Sequence, residues 1–584
     1  MSAQLSVNNL ITEHLDTWTQ AIETKFTAGS GSSNKLNLVG IQKLRELILE
    51  MAVHGLLVPQ DPHDEPASVL LEKITAEKAQ LIKDKIIKKT KALPEISEDE
   101  KPFDLPNGWE WVRLGDLGET QTGATPPKAN KHHFGSDVPF IKPGDIEKGI
   151  VDYFNEGLTF EGADSLGRIA NSGSVLMVCI GTIGKAALID RDCAFNQQIN
   201  SISPHVEIGQ YLYWAMATNY FVSSAWELSS STTIAILNKG KWSSIPVPIP
   251  PLEEQNRIVA KVDELMALCD QLESETLNHI DTHQTLVETL LGNLVNPDNT
   301  ANFDQAWSLI AQNFDVLFTT EHSIESLKQT ILQLAVMGKL VPQNPNDEPA
   351  SKLLEKIAAE KAQLIADKKI KKPKSLVDFE GLEEIRFDTP NNWAWIRLSD
   401  IADIVRGGSP RPAGDPKFYD GDIPFLKVGD VTNKTGMYVE GFNYSIKEAG
   451  LKKTRFIDTR TVLLTNSGAT LGIPAICEFP ATFNDGIAAF IYLSDSVDDE
   501  FLYLYLTRLS KWFLDFASRG QGQPNLNTDI IKSTWFPLPP VEEQIRIVAK
   551  VNELMTLCDQ LKTQLQTAQQ TQIHLAQSMI RDII

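Results

Sequence analysis

The side chains best placed to do chemistry sit in glycine-punctuated polar loops. One group spans QTGATPPKANKHH (Gln121–His133), IGTIGK (Ile180–Lys185), FNQQIN (Phe195–Asn200) and SSSTT (Ser229–Thr233). The other spans VRGGSPRPAGDPK (Val405–Lys417), TNSGATLG (Thr465–Gly472), FNDGI (Phe483–Ile487) and RGQGQPNLN (Arg519–Asn527). Asn, Gln, Arg, Lys and Ser/Thr are the side chains that read base edges, and glycine lets backbone approach a phosphate. The candidates in the first group are Lys128, Lys131, His132, Lys185, Asn196, Gln197 and Gln198. In the second they are Arg406, Arg411, Lys417, Asn466, Arg519, Gln521, Gln523 and Asn525. Arg and Lys would take guanine or phosphate; Asn and Gln would take adenine. Such loops are also what ordinary turns look like.

Catalytic patterns are missing. IGTIGKA has Cys179 where a phosphate loop needs its first glycine and Ala186 where it needs a hydroxyl. There is no G-x-S-x-G elbow and no G-x-G-x-x-G after a strand. The Pro-Pro pairs follow Thr125, Ile249 and Leu538, so none forms the Asn/Asp-Pro-Pro-aromatic motif of DNA amino-methyltransferases. His279 and His283 are spaced i, i+4 but lack a third ligand, and Ala568 and Gln572 stand in their places 289 residues on. No metal site is expected. The chain reads as a recogniser rather than a catalyst.

These loops need a frame, and the frame is written twice. AVHGLLVPQ (Ala52–Gln60) returns as AVMGKLVPQ (Ala335–Gln343), 283 residues on. DEPAS returns at the same offset, from Asp64 to Asp347. NGWEWVRL at Asn107 answers NNWAWIRL at Asn391, and PFIKPGDI at Pro139 answers PFLKVGDV at Pro424. The twenty residues from Glu253 match those from Glu542 at seventeen positions, by which point the offset is 289. The period is far too long for a solenoid. The offset drifts only inside the loop-bearing modules, where insertions are tolerated.

Each half reads helix, module, helix. After DEPAS, with its proline at the expected first turn (Pro66, Pro349), apolar residues recur at helical spacing up to basic runs at Lys83–Lys91 and Lys368–Lys374. A second helix starts beyond a proline block. There Ile258, Val262, Leu265, Cys269 and Leu272 fall at heptad spacing, as do Ile547, Val551, Leu554, Cys558 and Leu561. Two such helices could pack on each other as a pseudo-two-fold spacer. Inside each module, strand-like runs such as SVLMVCI and TVLLTN accompany one helix, YLYWAMATNYFV or FLYLYLTRLSKWFLDFA. The W-x-W pairs (Trp109/Trp111, Trp393/Trp395) read as core packing. The expected class is mixed α+β: two globular domains separated by long antiparallel coiled-coil helices.

The composition agrees. The 584 residues are 42% hydrophobic, enough for a real core, and no apolar run is long enough for a membrane span. The start carries no basic-then-apolar leader, and five scattered cysteines form no CxxC, which fits a reducing cytoplasm. The net charge is −22, and neither module is basic: Asn107–Ile245 has ten Lys/Arg against fourteen Asp/Glu, Asn391–Thr534 fifteen against seventeen. A chain this acidic should not coat DNA unaided.

The duplicated order of GLLVPQ/GKLVPQ, DEPAS, PFIKPGDI/PFLKVGDV and PPLEEQNRIV/PPVEEQIRIV resembles the specificity subunit of type I restriction–modification systems, from about Ile41 onward. The resemblance implies two target-recognition domains, each reading one half of a bipartite, asymmetric double-stranded DNA site. It implies helical regions that dock two methyltransferase subunits, which methylate adenine N6 with S-adenosylmethionine. Two motor–nuclease subunits, using ATP and Mg, would complete the complex. The chain itself would be non-catalytic and hold no cofactor. The expected boundaries are 1–40 (an N-terminal helical arm, with no role assigned), 41–100 (helical), 101–250 (first recognition domain), 251–380 (central helical region), 381–540 (second recognition domain) and 541–584 (C-terminal helix). The competing reading is a coiled-coil scaffold that binds proteins alone.

Overall fold

The computed structural model describes residues 11–25, 35–89, 91–127, 129–230, 234–295, 303–372, 376, 379–517 and 525–583. They form two compact units, residues 1–279 with 567–584, and residues 280–566.

Unit 1 is built on helices α1 (Val39–Val53) and α2 (Ala67–Lys83). Besides a two-stranded hairpin (Ile146–Glu147 with Ile150–Val151), its module has ten strands among the described residues: β1 (Glu110–Arg113), β2 (Gly118–Thr122), β3 (Phe134–Ile141), β4 (Gly157–Leu158), β5 (Ile169–Ala170), β6 (Val175–Val178), β7 (Ala186–Leu188), β8 (Cys193–Phe195), β9 (Ile199–Pro204) and β10 (Pro246–Ile249). Helices α3 (Gly209–Met216), α4 (Asn219–Leu228) and α5 (Lys239–Ser243) lie between β9 and β10, and α6 (Leu252–Val295) begins after the proline block. One sheet has the order β7-β6-β9-β2; a second has the order β4-β3-β8-β5, with β3 and β8 parallel; β10 pairs with β1.

Unit 2 repeats this topology. After α7 (Glu321–Val336) and α8 (Ala350–Ala366) come β11 (Ala394–Arg397), β12 (Asp403–Arg406), β13 (Tyr419–Leu426), β14 (Ser445–Ile446), β15 (Arg455–Ile457), β16 (Thr461–Thr465), β17 (Pro474–Cys477), β18 (Ala481–Phe483), β19 (Ile487–Ile491) and β20 (Trp535–Leu538). The sheet orders are β17-β16-β19-β12, β14-β13-β18-β15 and β11-β20. Its further helices include α9 (Asp499–Ala517), α10 (Thr528–Ser533) and α11 (Val541–Ile583), of which the part from Thr567 belongs to unit 1.

The two halves differ where the sequence led us to expect one helix in each. YLYWAMATNYFV is two helices, because Thr218 caps α4 by accepting from Phe221 N–H and so interrupts the run. α9 has no such break. Pro66 and Pro349 stand one residue earlier than expected, as N-caps of α2 and α8. The basic runs lie past those helices, which close on left-handed lysines, Lys85 (φ 60°) and Lys368 (φ 57°); Lys374 is outside the described residues. A non-glycine residue there costs about 1 kcal/mol. The same cost at the same place in both units marks a copied turn.

The frame is clamped by repeated polar contacts. Arg257 reaches Asp64 at 2.6 Å, and Arg546 reaches Asp347 at 2.6 Å. Lys78 pairs with Asp116, and Lys361 with Asp400. Of the W-x-W rings, Trp109 and Trp393 are buried, while Trp111 is half-buried against Phe103 and Tyr220. The heptad seam has a cover within its own unit. In unit 2, Ile547, Val551 and Cys558 share a packed cluster with Ile324, Leu327 and Ile331 of α7, and Leu554 and Leu561 pack against it. In unit 1, Ile258, Val262, Leu265 and Cys269 are buried and Leu272 is half-buried. There Arg45 of α1 bonds the Met266 carbonyl and pairs with Asp270 and Glu273 of α6. His283 donates to the Val316 carbonyl at 3.0 Å.

The N-terminal arm is part of unit 1. Trp18, in the short helix Leu15–Gln20, is completely buried. Gly40 lies against it so closely that a Cβ would sit 2.2 Å from the Trp18 carbonyl oxygen.

Arg113 on β1 is buried and bonds the carbonyls of Pro94, Glu95 and Ser244 as well as both oxygens of Glu100. Its guanidinium holds the Glu100 carboxyl down at about 2. A carboxyl lowered in the folded state stabilises above its unfolded value of 4.5 and loses that contribution as pH falls toward 2. Glu100→Gln should therefore lower the urea midpoint at neutral pH and flatten its dependence on pH below 4.5; an unchanged pH profile would contradict the pairing.

Candidate nucleic-acid interface

Four loops converge in each module, and main-chain hydrogen bonds join them. In module 1 the loop after β2 is tied to the β8–β9 turn: Gly123 N–H donates to the Ile199 carbonyl (3.0 Å) and Ala124 N–H to Phe195 (3.0 Å). That turn is tied to the loop after β6 by Cys179 N–H donating to Gln198 (2.8 Å). The loop after β6 is tied to the stretch before α5 by Leu237 N–H donating to Cys179 (2.8 Å) and Gly181 N–H to Ala235 (3.0 Å).

Module 2 repeats the pattern. Gly407 N–H donates to Ile487 (3.0 Å), Gly408 to Phe483 (3.1 Å), Asn466 to Gly486 (2.9 Å), and Leu526 to Asn466 (2.8 Å). Gly123 and Gly407 are required by closeness: a Cβ at either would lie 2.2 Å from a carbonyl oxygen of the facing turn, that of Asn196 or Asn484. Sequence separations of 19 to 80 residues are thus closed by backbone geometry, and the outward side chains are left free to differ.

The candidates divide on this crest. Asn196 is buried and spends its side chain on the turn, its Oδ1 accepting from Gln198 N–H (3.0 Å) and its Nδ2 donating to Gln198 Oε1 (3.0 Å). Asn484 makes the same Oδ1 bond to Gly486 N–H. Gln197 is exposed, with Thr125 Oγ1 donating to its Oε1 at 2.6 Å. Lys131 and His132 are exposed on a short turn after the first loop, and Lys185 is exposed with its Nζ 3.4 Å from the Ile146 carbonyl. In module 2, Arg406 donates to the Asp485 carbonyl oxygen (2.6 Å) and Ser409 Oγ to the Asp485 carboxylate (2.6 Å). The Ser409 hydrogen bond holds that carboxyl below its usual range, with Arg406 and Arg411 adding to the effect. Asn525 is exposed and bridges Ser467. Lys417 is exposed just before β13, at the end of the first loop, where its N–H donates to Asp415 Oδ1 at 2.9 Å. Lys128, Arg519, Gln521 and Gln523 lie outside the described residues.

Asn466 is completely buried, and among the described residues neither amide atom has a partner. Cys179 occupies the corresponding place in module 1, on the same two main-chain bonds. IGTIGK joins β6 to β7 as a strand-to-strand turn, so no helix follows to receive a phosphate. Among the described residues, no group of three or more His, Cys, Asp or Glu side chains could hold a metal ion.

Lys142 and Lys427 adjoin these loops and Asp485 lies in one of them, yet none is among the sequence candidates: the lysines sit in a motif shared by both halves, and an aspartate offers a base edge no donor.

A family model described as the type I restriction modification DNA specificity domain matches the chain twice, at residues 106–282 and 390–569. The chain belongs to the type I restriction–modification specificity family. It is 38% identical to the EcoAI specificity subunit of Escherichia coli over 98% of this chain and 99% of that protein. It is 37% identical to the EcoEI specificity subunit of the same species, with the same coverage. A solved HsdS subunit from Thermoanaerobacter tengcongensis is similar over 82% of this chain and 98% of its own, at 19% identity and a TM-score of 0.41. The two modules are the target-recognition domains of a specificity subunit. Both of these Escherichia coli relatives are specificity subunits. Among the described residues no helix is long and apolar enough to cross a membrane.

An unpartnered buried amide costs about 1–3 kcal/mol. Asn466→Cys, which installs the residue of module 1, should raise the unfolding free energy by about 1–2 kcal/mol. Urea denaturation with matched slopes checks this; a destabilised variant would mean the amide is satisfied.

Proposed function

We propose that each recognition domain of this specificity subunit reads one half of a bipartite, asymmetric DNA site. The observation that carries this reading is the crest: the same four loops, on the same main-chain bonds, carry different side chains in the two modules. Like frames with unlike readers suit unlike half-sites. Gln197, Lys131, His132 and Lys185 serve the first, with Lys128. Arg406, Arg411 and Asn525 serve the second, with Lys417, Arg519, Gln521 and Gln523, while the completely buried Asn466 stands behind that surface. Asn196 and Gln198 act by shaping the turn that presents Gln197.

The helices dock two methyltransferase subunits, which carry S-adenosylmethionine and methylate adenine N6. Motor–nuclease subunits with ATP and Mg join through them. The repeated frame supports this, because equal surfaces suit two copies of one partner. The partners also supply the phosphate neutralisation that two acidic modules lack. A scaffold that binds proteins alone would have no use for a crest built twice with different polar side chains.

Mapping methylated adenines in host DNA, with and without this gene, should reveal one bipartite sequence that depends on it. Replacing residues 391–534 with the corresponding module of a relative should change one half of that sequence and leave the other. A change in both halves, or none, would refute the division of labour.

A further inference from the structure

The shared motif PFIKPGDI/PFLKVGDV holds a lysine whose side chain has a different partner in each module. Lys142 and Lys427 follow the last residues of β3 and β13. The carbonyls just before them, of Ile141 and Leu426, accept the N–H of Asn196 (3.0 Å) and Asn484 (2.9 Å). Each lysine therefore abuts the turn at the heart of the crest. The turn that carries it is rigid in both modules. Lys142 N–H donates to Asp145 Oδ2 and Lys427 N–H to Asp430 Oδ2, both at 2.8 Å. The other oxygen of each buried aspartate accepts from an asparagine, Asn155 (2.7 Å) or Asn443 (2.6 Å).

All of that is main-chain work for the lysine, and any residue with an N–H could do it. The side chains have unlike neighbours. Lys142 pairs with Glu156. Lys427 lies 3.1 Å from the centre of the Tyr444 ring and has no carboxylate partner among the described residues. Glu156 and Tyr444 fill the same place, their carbonyls accepting from Phe140 and Phe425. Packing thus gives two different answers at a position where both modules have lysine. A base-reading residue should differ between modules that read different half-sites. A phosphate is the feature every half-site shares.

We propose that Lys142 and Lys427 are the common contact of the two modules to the DNA sugar–phosphate backbone. Lys427 is ready to bind, whereas Lys142 must first be released from Glu156. This inference rests on the DNA-reading function proposed above and assigns to these lysines the part that carries no sequence information.

The test uses the full chain assembled with its methyltransferase subunit. Affinity is measured against salt for DNA carrying the mapped site and for unrelated DNA. Each phosphate contact contributes about 0.9 to the slope of log affinity on log salt. Lys427→Ala should reduce the slope by about one and weaken binding about threefold on both DNAs, leaving their ratio unchanged. Lys427→Arg should restore it. Glu156→Gln frees Lys142 and should tighten binding to both DNAs, a gain that a damaged fold cannot mimic. An unchanged slope in Lys427→Ala, a loss confined to the mapped site, or no gain from Glu156→Gln would overturn the proposal. A wild-type assembly that does not discriminate the mapped site would instead refute the DNA-reading function itself.

Discussion

A buried carboxylate at the first turn of each long helix fastens the module to its frame. Glu254 and Glu543 are almost fully buried, and burial pushes both carboxyls up. Glu254 accepts from the indole N–H of Trp109 at 3.0 Å. Glu543 accepts from Gln343 at 2.6 Å and Asn392 at 3.4 Å. One turn on, Arg257 and Arg546 take Asp64 and Asp347, which precede the next helix back in the chain. Three separated pieces of sequence therefore meet at a helix N-terminus, where partial positive charge favours the acid. Such groups are costly to bury alone, so the arrangement holds only when every partner is present. That makes the joint specific as well as tight, and it occurs twice.

With the frame fixed, the loops are fixed by backbone rather than by side chains. The hydrogen bonds that gather the crest run from N–H to C=O, and the glycines at 123 and 407 permit the approach. Side-chain replacements on the outer surface then change what is read without unfolding what presents it. Side chains add to this: the Asn196 and Asn484 amides close the turn themselves, and Thr125–Gln197, Arg406–Asp485 and Ser409–Asp485 tie one loop to another. The same physics separates the letters that can vary in a recognition domain from those that cannot.

This division also explains what could be read from the sequence. The duplication was legible because the clamp needs the same Arg, Asp and Glu at both sites. Loop membership was legible from glycine and polar composition. Which loop residues face outward was not: Asn196 and Gln197 are neighbours of similar chemistry, and only the fold tells the turn former from the exposed one. The break at Thr218 was hidden because a threonine inside an apolar run looks like any helix residue until its hydroxyl is seen to accept from Phe221. The cover on the heptad seam was hidden too, since periodicity shows that a face is buried but not by what. The arm before Val39 has only a weak counterpart in the chain, at Leu290–Ser323, so little in the pattern announced that Trp18 is core.

The two crests are not equally relaxed, and the difference is chemical. At one equivalent point module 1 places Cys179, a small apolar side chain suited to a buried site, and module 2 places Asn466, whose amide is left without partners among the described residues. Main-chain bonds hold both residues in the same way, so the backbone does not demand the asparagine. Natural sequences tolerate an unsatisfied buried polar group chiefly where function needs it. The adjoining loops support a functional cause: Arg406, Ser409 and Asp485 already form a charged, hydrogen-bonded group on the same crest. A recognition surface has to carry donors and acceptors whose partners arrive only with the ligand. Among the described residues both modules bear that cost in the interior, module 1 at Asn200 Nδ2 and Ser201 Oγ and module 2 at both amide atoms of Asn466.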